Sequence, residues 1–199
     1  MQTFKVLAAL MMVFGLAACS SSNGQISGAT PPAQGGAALT TGAVTDDPAN
    51  TVIMELKTGK VKIRLRPDLA PKHVERVKML INEGFYNGLK WHRVIPGFMA
   101  QTGDPKGIGV GGSKYPDLPA EFTPTAFERG TLGAARTGDP NSANSQFFIC
   151  FTHAPHLNGQ YTVFGQVVEG MQNVDMLAKG EPPPNPDTII KMYMASAAP

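Results

Sequence analysis

Cysteine is scarce in this chain, with two among 199 residues, Cys19 and Cys150. Long apolar runs are lacking as well. The stretch Val6 to Phe14 stops after nine residues, and a membrane-spanning helix needs about 20, so no transmembrane anchor is encoded there. Neither sign of charge dominates: 17 Lys and Arg stand against 15 Asp and Glu, a net charge of +2. No run of Lys and Arg makes a phosphate-binding stripe, so nucleic acid is not an expected partner. No internal repeat is found. What is present is ordinary globular make-up, 42% hydrophobic and 16% charged, which excludes a collagenous, coiled-coil or wholly disordered chain and fits one domain. The 22 Gly and 17 Pro point to many turns and short elements.

Met1 to Lys5 carry one positive charge before the apolar run, so the start reads as a signal peptide. Leu16-Ala17-Ala18-Cys19 resembles the bacterial lipobox, in which the Cys is lipidated and becomes the mature N-terminus. Residues 1–18 are then expected to be removed and Cys19 to hold the protein to a membrane. Ser20 after the Cys, where Asp is absent, points to the outer membrane of a bacterial envelope, facing the periplasm. Ordinary secretion with small residues before the cut is the alternative. Lipidation leaves Cys150 alone, so no internal disulfide is expected. At the end of the apolar run Gln146–Cys150 it reads as a buried structural thiol.

From Ser20 to Asn50, 22 of 31 residues are Gly, Ala, Ser, Thr or Pro, too little apolar surface to offset the entropy of ordering. With Cys19 this makes residues 19–50 a flexible tether, with a reach of about 30 Å. The folded domain is expected over 51–199. It opens with Thr51–Lys57, a turn at Thr58-Gly59, and a strand in which Val61, Ile63 and Leu65 alternate with Lys62, Arg64 and Arg66. Pro71 suits a first helical turn; Val74, Val77 and Leu80/Ile81 share a face, and Gly84 stops the helix. Short apolar runs follow at 92–99, 130–135, 146–151 and 161–168, a second helix at 170–179, and a closing strand Thr188–Met194. Many short strands and two helices predict an antiparallel barrel whose ends the helices cover.

Several chemistries lack their residues. Gly107 to Gly112 fit G-x-G-x-x-G, but Asp104-Pro105 precede them and Pro116 and Pro119 follow, so no dinucleotide-binding helix can start there. The phosphate loop is missed too, because Ser113 precedes Lys114. No G-x-S-x-G elbow supports a hydrolase. His153 and His156 lie three apart without Cys or carboxylates to complete a metal site. Neither a metal nor a cofactor is expected.

Three ordered blocks remain: Trp91 to Asp104; Gly130 to Arg136 with Pro140-Asn141-Ser142 and Ser145 to Ile149; and Leu157 to Gly165. Across 51–195 the chain resembles the cyclophilin family of peptidyl-prolyl cis-trans isomerases. The resemblance implies a mainly β fold, a closed eight-stranded antiparallel β-barrel capped by two α-helices, and proline-containing polypeptides as substrates. It implies catalytic roles for Arg93, Phe98 and Gln101. Substrate contacts are implied for His92, Met99, Ala135, Arg136, Gln146, Phe148, His156, Leu157 and Tyr161. Here Phe98 and Phe148 are expected to face a groove, while Ile95, Phe147 and Ile149 face inward or support. His156 stands where many members carry Trp, and Tyr161 where a His is frequent, departures that bear on inhibitor affinity more than on turnover. A monomer is expected. The other readings of the domain are a non-catalytic module gripping Pro-containing segments and a purely structural lipoprotein. The loop 107–119 has no conformation legible in the sequence.

Overall fold

The computed structural model describes residues 47–197. The signal peptide, Cys19 and the tether as far as Asp46 lie outside the described residues. Order begins earlier than Thr51: Asp47 accepts the Ala49 N–H at 3.0 Å and caps a short turn, Pro48–Asn50.

Alternation builds the first hairpin. β1 (Thr51–Leu56) and β2 (Gly59–Leu65) pair antiparallel from Thr51↔Arg64 to Leu56↔Gly59, closing on the two-residue turn Lys57-Thr58. Val52, Met54, Val61 and Ile63 are all fully buried, as a period of two requires when one face meets a core. Helix α1 (Pro71–Asn82) buries Val74, Val77, Leu80 and Ile81, and Gly84 follows in a left-handed conformation. Its N-cap residue, Ala70, has no side-chain acceptor. Glu121 supplies one from another part of the chain, accepting the N–H groups of Lys72 at 3.1 Å and His73 at 3.0 Å.

Six further strands follow: β3 (Arg93–Ile95), β4 (Met99–Thr102), β5 (Thr131–Ala134), β6 (Phe147–Cys150), β7 (Val163–Glu169) and β8 (Lys191–Met194). The single run 92–99 is split by the Pro96-Gly97 turn. All eight strands form one antiparallel sheet in the order β3-β4-β6-β5-β7-β2-β1-β8.

The sheet is a curled half-barrel, and this corrects the closed barrel. β3 and β8 do not pair; the segment between them meets the edge through the isolated bridges Val94↔Gly180 and Lys90↔Thr188 and through single contacts such as the Trp91 N–H on the Asp187 carbonyl. The reason lies at the edge where two distant segments meet. β3 has three residues, and the bridging segment carries Pro182, Pro183, Pro184 and Pro186, which have no N–H to give a ladder. The second helix, α2 (Met171–Asp175), is also shorter than expected. Leu177 is buried, but the Asp187 carboxylate takes the Ala178 N–H at 2.8 Å and draws the chain out of the helix.

The sheet separates two apolar clusters. The larger holds Tyr86, Trp91, Phe147 and Phe164, whose rings meet edge to face around Phe147. The smaller holds Met99, Phe127, Phe148, Cys150, Leu157 and Val163, with Phe98, Tyr161 and Ile95 packed against it. Ile95 therefore sits on the Phe148 side, as a support.

Candidate active site

Strand register assembles the site. Arg93 of β3 pairs with Gln101 of β4, Gln101 with Phe148 of β6, and Phe148 with Gly133 of β5. Directly paired residues point to the same face, so four strands place one row of side chains side by side. Met99, two residues before Gln101, joins that face. Gly133 is required in the row: a Cβ there would come within 2.3 Å of the Phe148 ring and 2.7 Å of Phe127. Its absence lets Phe148 lie across β5 and stack on Phe127, centroids 5.7 Å apart.

Above this row is an apolar slot of about 290 Å³. Met99, Phe148 and Leu157, all nearly buried, form its floor. Phe98, His156 and Tyr161 form its rim, with the Phe98 and His156 rings 5.3 Å apart and Tyr161 edge-on to Phe148 at 5.7 Å. Arg93 and Gln101 close one side; Ala135 and Arg136 close the other. The Arg136 guanidinium lies 4.4 Å from the Tyr161 centroid and donates to the Gln160 carbonyl at 2.8 Å, which fixes that wall.

Two of the twelve sequence-derived site residues stand apart from the slot. Gln146 lines an adjoining pocket of about 320 Å³, where it donates to the Gly111 carbonyl at 2.7 Å and accepts from Gln101 Nε2 at 2.9 Å. His92 is buried behind Arg93 rather than in the slot. Burial lowers its pKa, against the opposing pull of the Asp104 charge, which keeps the imidazole neutral. Cys150 is buried beneath the floor and its thiol is pushed up to about 12 by burial, so it is no nucleophile.

The glycine-rich segment is a pinned loop. Asp104, itself buried, accepts the N–H groups of Lys106 at 2.7 Å, Ile108 at 3.0 Å and Gly109 at 2.7 Å. Burial alone would raise its pKa; these backbone donors more than offset it and hold the carboxylate ionised. A strand does precede the glycines, but no helix follows. The loop walls the pocket next to the slot. Among the described residues no cluster of His, Cys, Asp and Glu could hold a metal ion.

Residues 51–195 match the model of the cyclophilin type peptidyl-prolyl cis-trans isomerase/CLD family. The chain belongs to this family of isomerases. The cyclophilin is 57% identical to a probable peptidyl-prolyl cis-trans isomerase of Brucella suis biovar 1, across 77% of this chain and 89% of that protein. It is 43% identical to peptidyl-prolyl cis-trans isomerase B of Bacillus subtilis, across 61% of this chain and 85% of the relative. Among solved structures it resembles cyclophilin AquaCyp293 from Hirschia baltica, with a TM-score of 0.69 and 29% identity, covering 77% of this chain and 76% of that one. A cyclophilin from Cryptosporidium parvum, solved in the presence of the dipeptide Ala-Pro, gives a TM-score of 0.68 at 29% identity, covering 72% and 98%.

Two features of this cyclophilin's site carry no local sequence signal. Phe127 supports Phe148 from an irregular segment. Glu181 reaches the Arg93 side chain from 88 residues further along, accepting its Nε–H at 3.0 Å. In sequence it is one acid ahead of a proline-rich stretch.

Proposed function

We propose that this cyclophilin accelerates X–Pro rotation in exported polypeptides as a monomer, held by lipid on Cys19 to the outer membrane of a bacterial envelope and facing the periplasm. The lipobox-like Leu16–Cys19 and the Gly/Ala/Ser/Thr/Pro tether support the location. The client proteins' proline segments follow from the slot's chemistry, and the Ala-Pro present with the Cryptosporidium relative agrees.

The observation that carries the catalytic reading is a fixed guanidinium beside an apolar slot. An X–Pro bond favours trans by only about 0.5–1 kcal/mol but rotates over a barrier of about 18–20 kcal/mol. No covalent bond is made or broken, so no nucleophile is needed. At the top of the barrier the proline nitrogen has lost amide resonance and carries a lone pair. The slot holds the pyrrolidine ring on Met99, Phe148 and Leu157, with Phe98 against it. Arg93, charged at any working pH, donates to the nitrogen as its lone pair develops, an interaction stronger in the transition state than in the ground state. Gln101 and the Ala135 carbonyl hold the substrate backbone. The Ala135 N–H is committed to the Gln146 carbonyl at 3.0 Å.

A proline-peptide isomerisation assay on wild type and Arg93→Ala tests this. Loss of one aimed donor lowers turnover by about 10²–10³, with circular dichroism unchanged because Arg93 is 41% exposed. Undiminished activity of the variant would refute the mechanism. Wild-type binding of proline peptides without turnover would instead favour a gripping module.

A further inference from the structure

We infer that Glu181 is a positioning residue for Arg93: it holds the guanidinium by Nε and thereby sets the aim of the two terminal nitrogens. The inference rests on Arg93 serving the isomerisation. Glu181 Oε2 lies 3.0 Å from Arg93 Nε, and among the described residues it is the only polar partner of the Arg93 side chain. Gln101, opposite Arg93 in the β3–β4 pair, gives an Nε2–H to Gln146 Oε1 rather than meeting Arg93.

The meeting is built into the backbone. Val94 and Gly180 exchange both main-chain hydrogen bonds, at 2.8 and 2.9 Å, in an antiparallel bridge. The residue before Val94 therefore faces the residue after Gly180. The segment beyond Glu181 is secured further on by Asp187, whose carbonyl takes the Trp91 N–H at 2.8 Å and whose carboxylate meets Lys57 Nζ at 2.5 Å. The carboxylate thus stands at a fixed place beside β3. Arg93 lines two pockets, the proline slot on one side and, on the other, a pocket that Glu181 shares. Use of Nε on that second side leaves the terminal nitrogens for the slot.

The pair is exposed, 41% at Arg93 and 51% at Glu181, and exposed ion pairs add little to folding stability. A free arginine side chain samples many rotamers, and aiming it is an entropic cost that a latch removes before substrate arrives. Removing the latch should therefore reach turnover and spare stability.

The experiment compares Glu181→Ala and Glu181→Gln in the full chain, alone and combined with Arg93→Ala, by saturation kinetics and thermal unfolding. Glu181→Ala is expected to lower kcat about tenfold, less than the about hundredfold that a misplacement of one ångström can cost, with KM and Tm nearly unchanged. Glu181→Gln, which keeps a neutral acceptor, recovers part of the loss, and neither variant adds a loss in the Arg93→Ala background. The Arg93 Nε–H resonance should shift and exchange faster with water in Glu181→Ala. Wild-type kcat in Glu181→Ala, an additive loss in the double variant, or a loss matched by a fall in Tm would overturn the inference. Full activity of Arg93→Ala alone would overturn the underlying reading of Arg93, and that outcome is distinguishable from failure of the latch.

Discussion

Glu121→Gln is the sharpest test of how the fold is tied together. The native carboxylate takes three hydrogen bonds: the Lys72 N–H on Oε1, and on Oε2 both the His73 N–H and His73 Nδ1, the last at 2.6 Å. A glutamine has one oxygen, so one of these donors would face an NH2 group. Turning its oxygen toward the buried His73 leaves the exposed Lys72 N–H to water, which puts the loss at the low end of the about 1–3 kcal/mol for an unsatisfied donor. Loss of negative charge at the helix N-terminus adds about 0.3–1 kcal/mol. A total of about 1–2 kcal/mol lowers Tm by about 2–8 °C for a domain of this size. The pH dependence has a definite sign. Burial pushes the Glu121 carboxyl up, but His73 and the two N–H groups outweigh it and hold its pKa below the ordinary 4.5. Its contribution is thus complete above the unfolded value and is lost as pH falls through the lower folded value. His73, lowered from 6.5 by burial against the pull of Glu121, adds a loss of stability on acidification in the same direction. Thermal unfolding by circular dichroism across pH should show the two proteins converging in acid. A variant within about 1 °C of wild type at neutral pH, or a gap undiminished where free carboxyls are protonated, would refute the reasoning.

Two further outcomes are expected. His156 is an exposed rim residue against Phe98, smaller than the Trp of many family members and costlier to desolvate, so cyclosporin should inhibit weakly. His156→Trp should tighten inhibition about ten- to hundredfold with turnover little changed, and tight inhibition of the unmodified protein would contradict this. Cys19→Ser should release soluble protein or leave the precursor uncut, because one acylated Cys with two or three chains anchors stably where a single chain does not. Mature wild-type protein recovered soluble with a free thiol at residue 19 would exclude the lipid anchor.

The parts of this molecule legible in sequence are those where a local rule acts alone. Val61, Ile63 and Leu65 alternate, and they line the core side of β2. Pro71 and Gly84 bracket the first helix. The slot residues from Arg93 to Gln101 and from Ala135 to Tyr161 come together because the β3–β4 hairpin, the paired strands β5 and β6 and the 3-10 turn Pro155–Leu157 present them. Illegible features depend on partners distant in sequence. Whether the sheet closes is decided by prolines that lie next to β3 only in space. The end of α2 is set by Asp187, twelve residues beyond Asp175. His92 carries a family motif in sequence, yet it is buried behind Arg93 and outside the slot. Glu181 becomes visible only once the Val94↔Gly180 bridge is known.

That bridge has a consequence for the order of events as the chain is made. Arg93 is made about midway along the chain, and Gly133, Phe148 and finally Gly180 and Glu181 follow. A chain still growing can form the β1–β2 hairpin and α1, because their contacts are local. Its slot has no complete floor until Leu157 is present, and its guanidinium has no latch until Glu181, about a tenth of the sequence from the end. The site is therefore completed late, and a chain cut short before residue 180 would lack the carboxylate that holds Arg93.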